Sequence, residues 1–423
     1  MSVLLYNLII FLYRGIVSLA APFHRKARAW IGGRANFGQQ METLHLQRPR
    51  DGRKVVWLHA SSLGEFEQGR PVIEGLRRER QDLWVALTFF SPSGFEQKHD
   101  YPGADWTGYL PLDTARKASR FVETLQPHLV LWVKYDLWYY HLQACFVRKI
   151  PVVLFAMNLS PRHPVFRTLT QKLYQHMLLG MDHIFVQFEE QRHLARKAGI
   201  ERVGVAADPR IDRVKQIALE AEALPEIEQF LAGENRVLIL GSAYATEVAL
   251  TLAAHWRDFF DRLIVAPHYV DEKRLRQLAH KLGTAQVLRY ANAGAPSPGK
   301  DILLIDQIGL LSRLYRYGSV AFVGGGFGYS IHNTLEPAAF SLPVMFGPAH
   351  ERFPEAQKLL EEGGFFEVND AAQVRQVWQR LSNAQAYFRA REKVQDFMVR
   401  HEGGSSKVVR HALRHLDASS SGT

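Results

Sequence analysis

The chain has 423 residues, 47% of them apolar and 22% charged. That balance excludes a disordered chain, and the length exceeds what one hydrophobic core supports, so two domains of roughly 150–200 residues are expected. A single cysteine, Cys145, excludes an intramolecular disulfide and a cysteine metal cluster and fits a reducing compartment, while the formal charge of +10 admits nucleic acid, an anionic membrane surface or an acidic substrate as partner.

The first segment narrows that choice. Val3 to Phe23 is almost wholly apolar, Pro22 closes it, and the basic cluster His24-Arg25-Lys26-Ala-Arg28 follows. Residues 1–24 therefore read as a membrane anchor or interfacial helix. Asn7, Arg14 and Ser18 fall along one narrow helical stripe, which a spanning helix must bury or snorkel and an interfacial helix lays toward water. Both readings stay open, with an ordinary buried core helix as the third. The basic flank places the main body on the cytoplasmic side by the positive-inside tendency. A cleavable secretory signal is disfavoured, since the segment has no positive n-region and no small-residue cleavage site.

From Lys54 the pattern is strand, loop, helix, repeated. Val55–His59, Trp84–Phe89, Val130–Val133, Val152–Phe155 and Ile184–Val186 read as buried strands, with a helix at Glu65–Arg80. A second series runs through Arg236–Gly241, Leu263–Ala266, Gln286–Leu288, Ile302–Ile305, Val320–Val323 and Pro343–Phe346. Alternating strands and helices imply parallel βαβ units. The expected fold is α/β and GT-B-like: two Rossmann-like domains, 25–212 and 213–400, facing a central cleft at their strand ends. Ala371–Leu416 reads as helices, and 401–423 as a C-terminal helix with a flexible tail ending Ser419-Ser-Ser-Gly-Thr. The two opening units are alike, each a strand, a Gly or Ser loop, and then Glu65 or Glu247 at a helix start.

The chemistry-bearing residues gather after strands. Val320-Ala-Phe-Val-Gly-Gly-Gly-Phe-Gly ends in glycines that let a backbone approach a phosphate, and His332-Asn333-Thr-Leu-Glu336 then opens a helix whose N–H groups add positive potential. Glu336 suits ribose hydroxyls, and the whole suggests a nucleotide-sugar site. In His59-Ala-Ser61-Ser62-Leu-Gly64-Glu65 a carboxylate stands at a helix mouth; such placement favours its ionised form, ready to take a proton. The same spacing also fits Glu65 as a capping residue behind Ser61 or Ser62. His59 reads equally as a structural hydrogen-bond donor. Lys134-Tyr135-Asp136 and Asn158-Leu-Ser160-Pro-Arg162 follow the next strands, with Arg162 suited to an anionic acceptor. Ser242 and Pro267-His268-Tyr269 add to the second domain. No metal-ligand array stands out, and no nucleic-acid motif accompanies the scattered basic charge.

Taken together these residues resemble the 3-deoxy-D-manno-octulosonic acid (Kdo) transferases of lipopolysaccharide assembly. His59-Ala-Ser-Ser-Leu-Gly-Glu65 meets the family's His-x-x-Ser-x-Gly-Glu, and Ala321–Gly325, His332–Ala338 and Pro343–Pro348 meet its donor-domain signature. The resemblance implies an inverting, metal-independent glycosyltransferase with CMP-Kdo as donor, a lipid A precursor as acceptor, no cofactor and no nucleic acid. It implies Glu65 as the base and Ser242, Pro267, His268, Gly325, Gly326, Ser330, His332, Asn333 and Glu336 around the nucleotide. His59, Ser61, Gly64, Asp136, Asn158 and Arg162 would meet the acceptor side. Three loops depart from the family pattern. Pro267-His268-Tyr269 stands for Pro-Arg-His, making His268 the candidate substitute for a lost cation. Lys134-Tyr-Asp136-Leu-Trp138-Tyr139 stands for Glu-x-Glu-x-Trp-Pro, and Asn158-Leu-Ser160-Pro-Arg162 for Asn-Ala-Arg-x-Ser. Another GT-B enzyme with a different CMP- or UDP-linked sugar, or a non-catalytic glycolipid-binding homologue, are the alternatives.

Overall fold

A computed structural model describes residues 2–134, 136–294, 299–328 and 330–418. Tyr135, Tyr329 and the tail from Ser419 lie outside the described residues. The chain forms two compact units, one holding everything up to Asp212 together with the segment from Gly403 onward, the other Arg213–Glu402.

The first unit is built on parallel strands β1 (Lys54–Ala60), β2 (Leu83–Phe89), β3 (Trp106–Tyr109), β4 (Leu129–Val133), β5 (Val152–Met157), β6 (His183–Val186) and β7 (Val203–Val205), in the order β3-β2-β1-β4-β5-β6-β7. The second holds β8 (Val237–Ala243), β9 (Arg262–Pro267), β10 (Val287–Arg289), β11 (Ile302–Leu304), β12 (Val320–Val323), β13 (Val344–Phe346) and β14 (Phe365–Glu367), in the order β10-β11-β9-β8-β12-β13-β14. Central strands are covered on both faces, which is why they read as unbroken apolar runs rather than alternating ones. The sequence reading passes over β3, β7 and β14. Each is three or four residues long and lies at a sheet edge, too short to show a period.

Successive β1 residues point to opposite cores. Val55 and Trp57 join the face covered by the N-terminal helices, and Val56 and Leu58 the face covered by helices Leu63–Glu79 and Gly404–Ala418. The last helix closes on Leu63–Glu79 at Gly75, where a Cβ would meet Val409 at 2.8 Å. Asp212 receives the returning chain: its carboxylate accepts N–H bonds from Gly403 (2.6 Å) and Ser405 (2.8 Å).

The apolar N-terminal segment is the helix Val3–Ala20. It is not a core helix: Leu4, Leu8, Phe11, Leu12, Ile16 and Leu19 each expose more than half of their surface. Only Tyr6 and Ile10 are buried. The Tyr6 hydroxyl donates to the buried Asp113 carboxylate, which also accepts the N–H groups of Tyr140 and His141, both at 3.0 Å, and pairs with His141 Nδ1 at 2.6 Å. Tyr140 donates its hydroxyl to Asn7 at 2.8 Å, so one member of the polar stripe faces protein rather than water. Beneath, the buried Arg34 guanidinium donates to the carbonyls of Trp30, Phe90 and Leu110 and lies 4.3 Å from the Trp30 ring.

Candidate active site

Each sheet reverses its strand order near the middle, between β1 and β4 in the first unit and between β8 and β12 in the second. In open α/β sheets that reversal splays the connecting loops and leaves a crevice at the strand C-terminal ends. The residues singled out in the sequence sit at these two places.

In the first unit, β1 ends at Ala60 and Ser62 caps the next helix by accepting the Glu65 N–H at 3.5 Å. That cap turns Glu65 back over the loop, where its carboxylate accepts the Ser61 N–H. Glu65 thus both caps its helix, as its spacing allows, and aims a carboxylate into the β1–β4 crevice. Its ionisation differs from expectation. Burial, at 7% exposure, and the nearby Asp136 carboxylate push its pKa up to about 8, against the lowering effect of Lys134 and the Ser61 and Ser62 N–H groups. Desolvation outweighs the helix N-terminus. The group is a stronger base than a surface carboxylate, poised near neutral pH.

Asp136, after β4, receives a hydrogen bond from the Ser61 side chain; its carboxyl is crowded by protein although the residue is exposed overall, and it too is shifted upward. Lys134 holds a left-handed φ of 61°, a strain shared by Ala156 near the end of β5 and Ser242 near the end of β8. Such strain concentrates at functional strand ends. His59 has no exposed surface, which corrects its expected contact with substrate. It lies 3.3 Å from Ser61 Oγ and 2.9 Å from Thr88 Oγ1, and burial holds its pKa well below the usual imidazole value. It positions Ser61 as a neutral ring. Gly64 is exposed in the first turn of the helix. Asn158 accepts a bond from Gln191 (2.8 Å), and Arg162 is exposed on the loop beyond β5.

In the second unit the glycines serve the chain before any ligand. A Cβ at Gly324 would meet the Ser242 carbonyl at 2.2 Å, and one at Gly326 the Gly347 backbone at 2.6 Å; Gly325 has φ 95°. The Gly325 N–H, expected to face a phosphate, donates instead to the buried Glu247 carboxylate (2.9 Å), whose other oxygen accepts the Tyr244 N–H (2.9 Å). Glu247 therefore staples the loop after β8 to the loop after β12. A cavity of about 280 Å³ opens beside this staple, lined by Tyr244, Thr246, Glu247, Tyr269, Gly325, Phe327, Gly328 and Ser330. Pro267 lines a neighbouring hollow of about 260 Å³ with Tyr269, Arg274 and Lys281.

His268 stacks on Tyr244 (4.9 Å) and on His332 (4.5 Å), and the Tyr244 hydroxyl meets His332 Nε2 at 3.1 Å. Burial and the neighbouring His268 press His332 down to about 4, and burial and Arg274 lower His268. Both shifts favour the neutral rings, so His268 carries no fixed charge in the place where the resemblance looks for a cation. The adjacent fixed charge is Arg274, 3.9 Å from the centre of the Tyr269 ring. Asn333 donates to Glu336 (3.0 Å) and accepts the Leu335 N–H (3.1 Å), so this pair holds its own turn together. Tyr244, Thr246 and Phe327 were missed as site residues, while Tyr269 entered only as part of the Pro267-His268-Tyr269 loop. The signal for Glu247 was its place in a strand–loop–helix unit like that of Glu65.

Residues 34–213 match the family model described as 3-deoxy-D-manno-octulosonic-acid transferase (kdotransferase). The 3-deoxy-D-manno-octulosonic acid transferase of Aquifex aeolicus is 26% identical over 395 residues, covering 89% of this chain and 100% of that protein. In fold, the chain is similar to a UDP-GlcNAc 2-epimerase from Neisseria meningitidis bound to UDP-GlcNAc (TM-score 0.62, 15% identity, 85% and 99% coverage) and to the calicheamicin glycosyltransferase CalG4 (TM-score 0.54, 13% identity, 87% and 99% coverage). The architecture is GT-B-like, and over the matched residues this chain is similar to the Kdo transferases, which are glycosyltransferases.

Proposed function

We propose that the protein transfers Kdo from CMP-Kdo to a hydroxyl of a lipid A precursor, with inversion at the anomeric carbon. The observation that carries this reading is Glu65: a buried carboxylate on the β1–β4 crevice, raised to about 8, whose motif is that of the family's base. Glu65 takes the proton of the acceptor hydroxyl as that oxygen bonds to the anomeric carbon, and the bond from that carbon to the CMP phosphate oxygen breaks. Asp136 and Ser61 orient the acceptor. The second unit holds the nucleotide in the cavity lined by Tyr244, Tyr269, Gly325 and Ser330, with Arg274 as the cation near the donor's anionic groups. No metal ion and no cofactor takes part in this transfer.

The helix Val3–Ala20 supports a membrane-bound acceptor. It is docked to the first unit on one side and bare and apolar on the other, as an interfacial helix at the cytoplasmic face of the inner membrane would be, and the basic flank favours an anionic surface. The test is product mass from purified protein, lipid A precursor and CMP-Kdo made in situ. One or more Kdo increments are expected. If folded protein gives none with CMP-Kdo but transfers a different CMP- or UDP-linked sugar, the donor assignment fails.

A further inference from the structure

A second concave site lies in the first unit, away from Glu65. It is a hollow of about 350 Å³ lined by His183 and Phe185 of β6, Gly204 and Val205 of β7, and Lys407, Arg410, His411 and Arg414 of the helix Gly404–Ala418. Strands β4 and β5 separate it from β1. We propose that this hollow binds a small soluble phosphate-bearing anion.

Three features carry the assignment. The lining brings three fixed cations and two imidazoles together with no carboxylate among them. Arg410 and Arg414 are exposed and make no ion pair among the described residues, whereas Arg80 on the neighbouring helix is bonded to Asp82 and Asp417. Like charges held within one hollow repel unless an anion neutralises them, and guanidinium groups suit phosphate oxygens bidentately. Gly204 lets β7 lie directly against the His183 wall of the hollow: a Cβ there would meet His183 Nε2 at 2.8 Å, so a larger residue displaces that ring and reshapes the lining. His183 and His411 pack 4.4 Å apart, and Phe185 stands edge-on to His411, which gives the hollow a rigid wall.

The side of the sheet argues for a soluble ligand over a lipid headgroup. Phe185 and Val409 belong to the core face opposite the one that carries Tyr6 and Ile10 of the apolar N-terminal helix. A bilayer touching that helix is therefore on the other face of this unit.

The test is titration calorimetry of the full chain with inorganic phosphate, comparing wild type with an Arg410→Ala/Arg414→Ala double variant and with Gly204→Leu, followed by flotation with phosphatidylglycerol vesicles. Phosphate binding weakened at least 10-fold in the double variant and in Gly204→Leu, with unchanged vesicle binding, is the expected result. The two arginines are exposed, so the double variant keeps the fold readable even where Gly204→Leu disturbs it. Phosphate binding equal in wild type and double variant overturns the proposal. So does an effect of the arginine changes on vesicle flotation alone, which would assign the hollow to lipid headgroups.

Discussion

The two sheets place a glutamate at the same point, in the first turn of the helix after the first strand beside the order reversal, and use it in opposite ways. Glu247 spends both carboxylate oxygens on backbone N–H groups of two different loops, and so fixes the shape of the site it borders. Among the described residues Glu65 accepts N–H groups from its own loop and faces a second carboxylate, so burial leaves it without full compensation. The same local sequence pattern thus yields a brace in one unit and a reactive group in the other. What separates them is the partner across the crevice: the Gly325 N–H in the second unit, Asp136 in the first.

The strongest way to break this comparison is Glu65→Gln. If Glu65 is the base, transfer falls by about 10²–10⁴-fold with circular dichroism unchanged. Its effect on stability should run the other way. Because the folded-state pKa of Glu65 is raised, its protonated form stabilises the fold below the usual carboxyl range, and that contribution is lost as pH rises through about 8. Thermal melts at pH 5 and pH 9 should show the variant gaining on wild type at the higher pH, by at most about a few kcal/mol.

Glu247→Gln should cost stability at every pH, about 1–3 kcal/mol, because an amide can satisfy only one of the two buried N–H donors; denaturant unfolding measures it. A smaller change sharpens the first half of the comparison. The kcat/KM profile of wild type should rise with pH through about 8, Asp136→Asn should move that limb to lower pH, and Lys134→Met should move it higher. The mildest expected effect is at His268: replacing it by Arg adds a permanent charge beside the donor cavity and should lower the donor KM several-fold, about 1 kcal/mol of binding.

Much of this was legible in the sequence, because parallel central strands are long apolar runs and their loops carry the distinctive residues. The reading failed where distant loops meet. The resemblance sets Gly325 and Gly326 around the nucleotide, but the need for Gly324 and Gly326 where the β12 loop crosses the Ser242 and Gly347 backbones is one that no local pattern reveals. Likewise the helix mouth around Glu65 suggests an ionised carboxylate. Its burial and its second carboxylate come from residues about 70 positions away, including Asp136 after β4. His268 was a candidate cation by its position in a motif, and the burial and the nearby Arg274 that lower its pKa exist only in three dimensions.

The seat of the first helix bears on how the protein can be handled. Asp113 is fully enclosed, and one of its hydrogen-bond donors is the hydroxyl of Tyr6. Cutting off the greasy leader to obtain a freely soluble enzyme would leave that carboxylate short of a partner, at a cost of about 1–3 kcal/mol, and would uncover the surface on which Ile10 rests. Production with the leader intact and a mild detergent over its bare side preserves the fold, whereas a shortened version would be expected to clump or melt early.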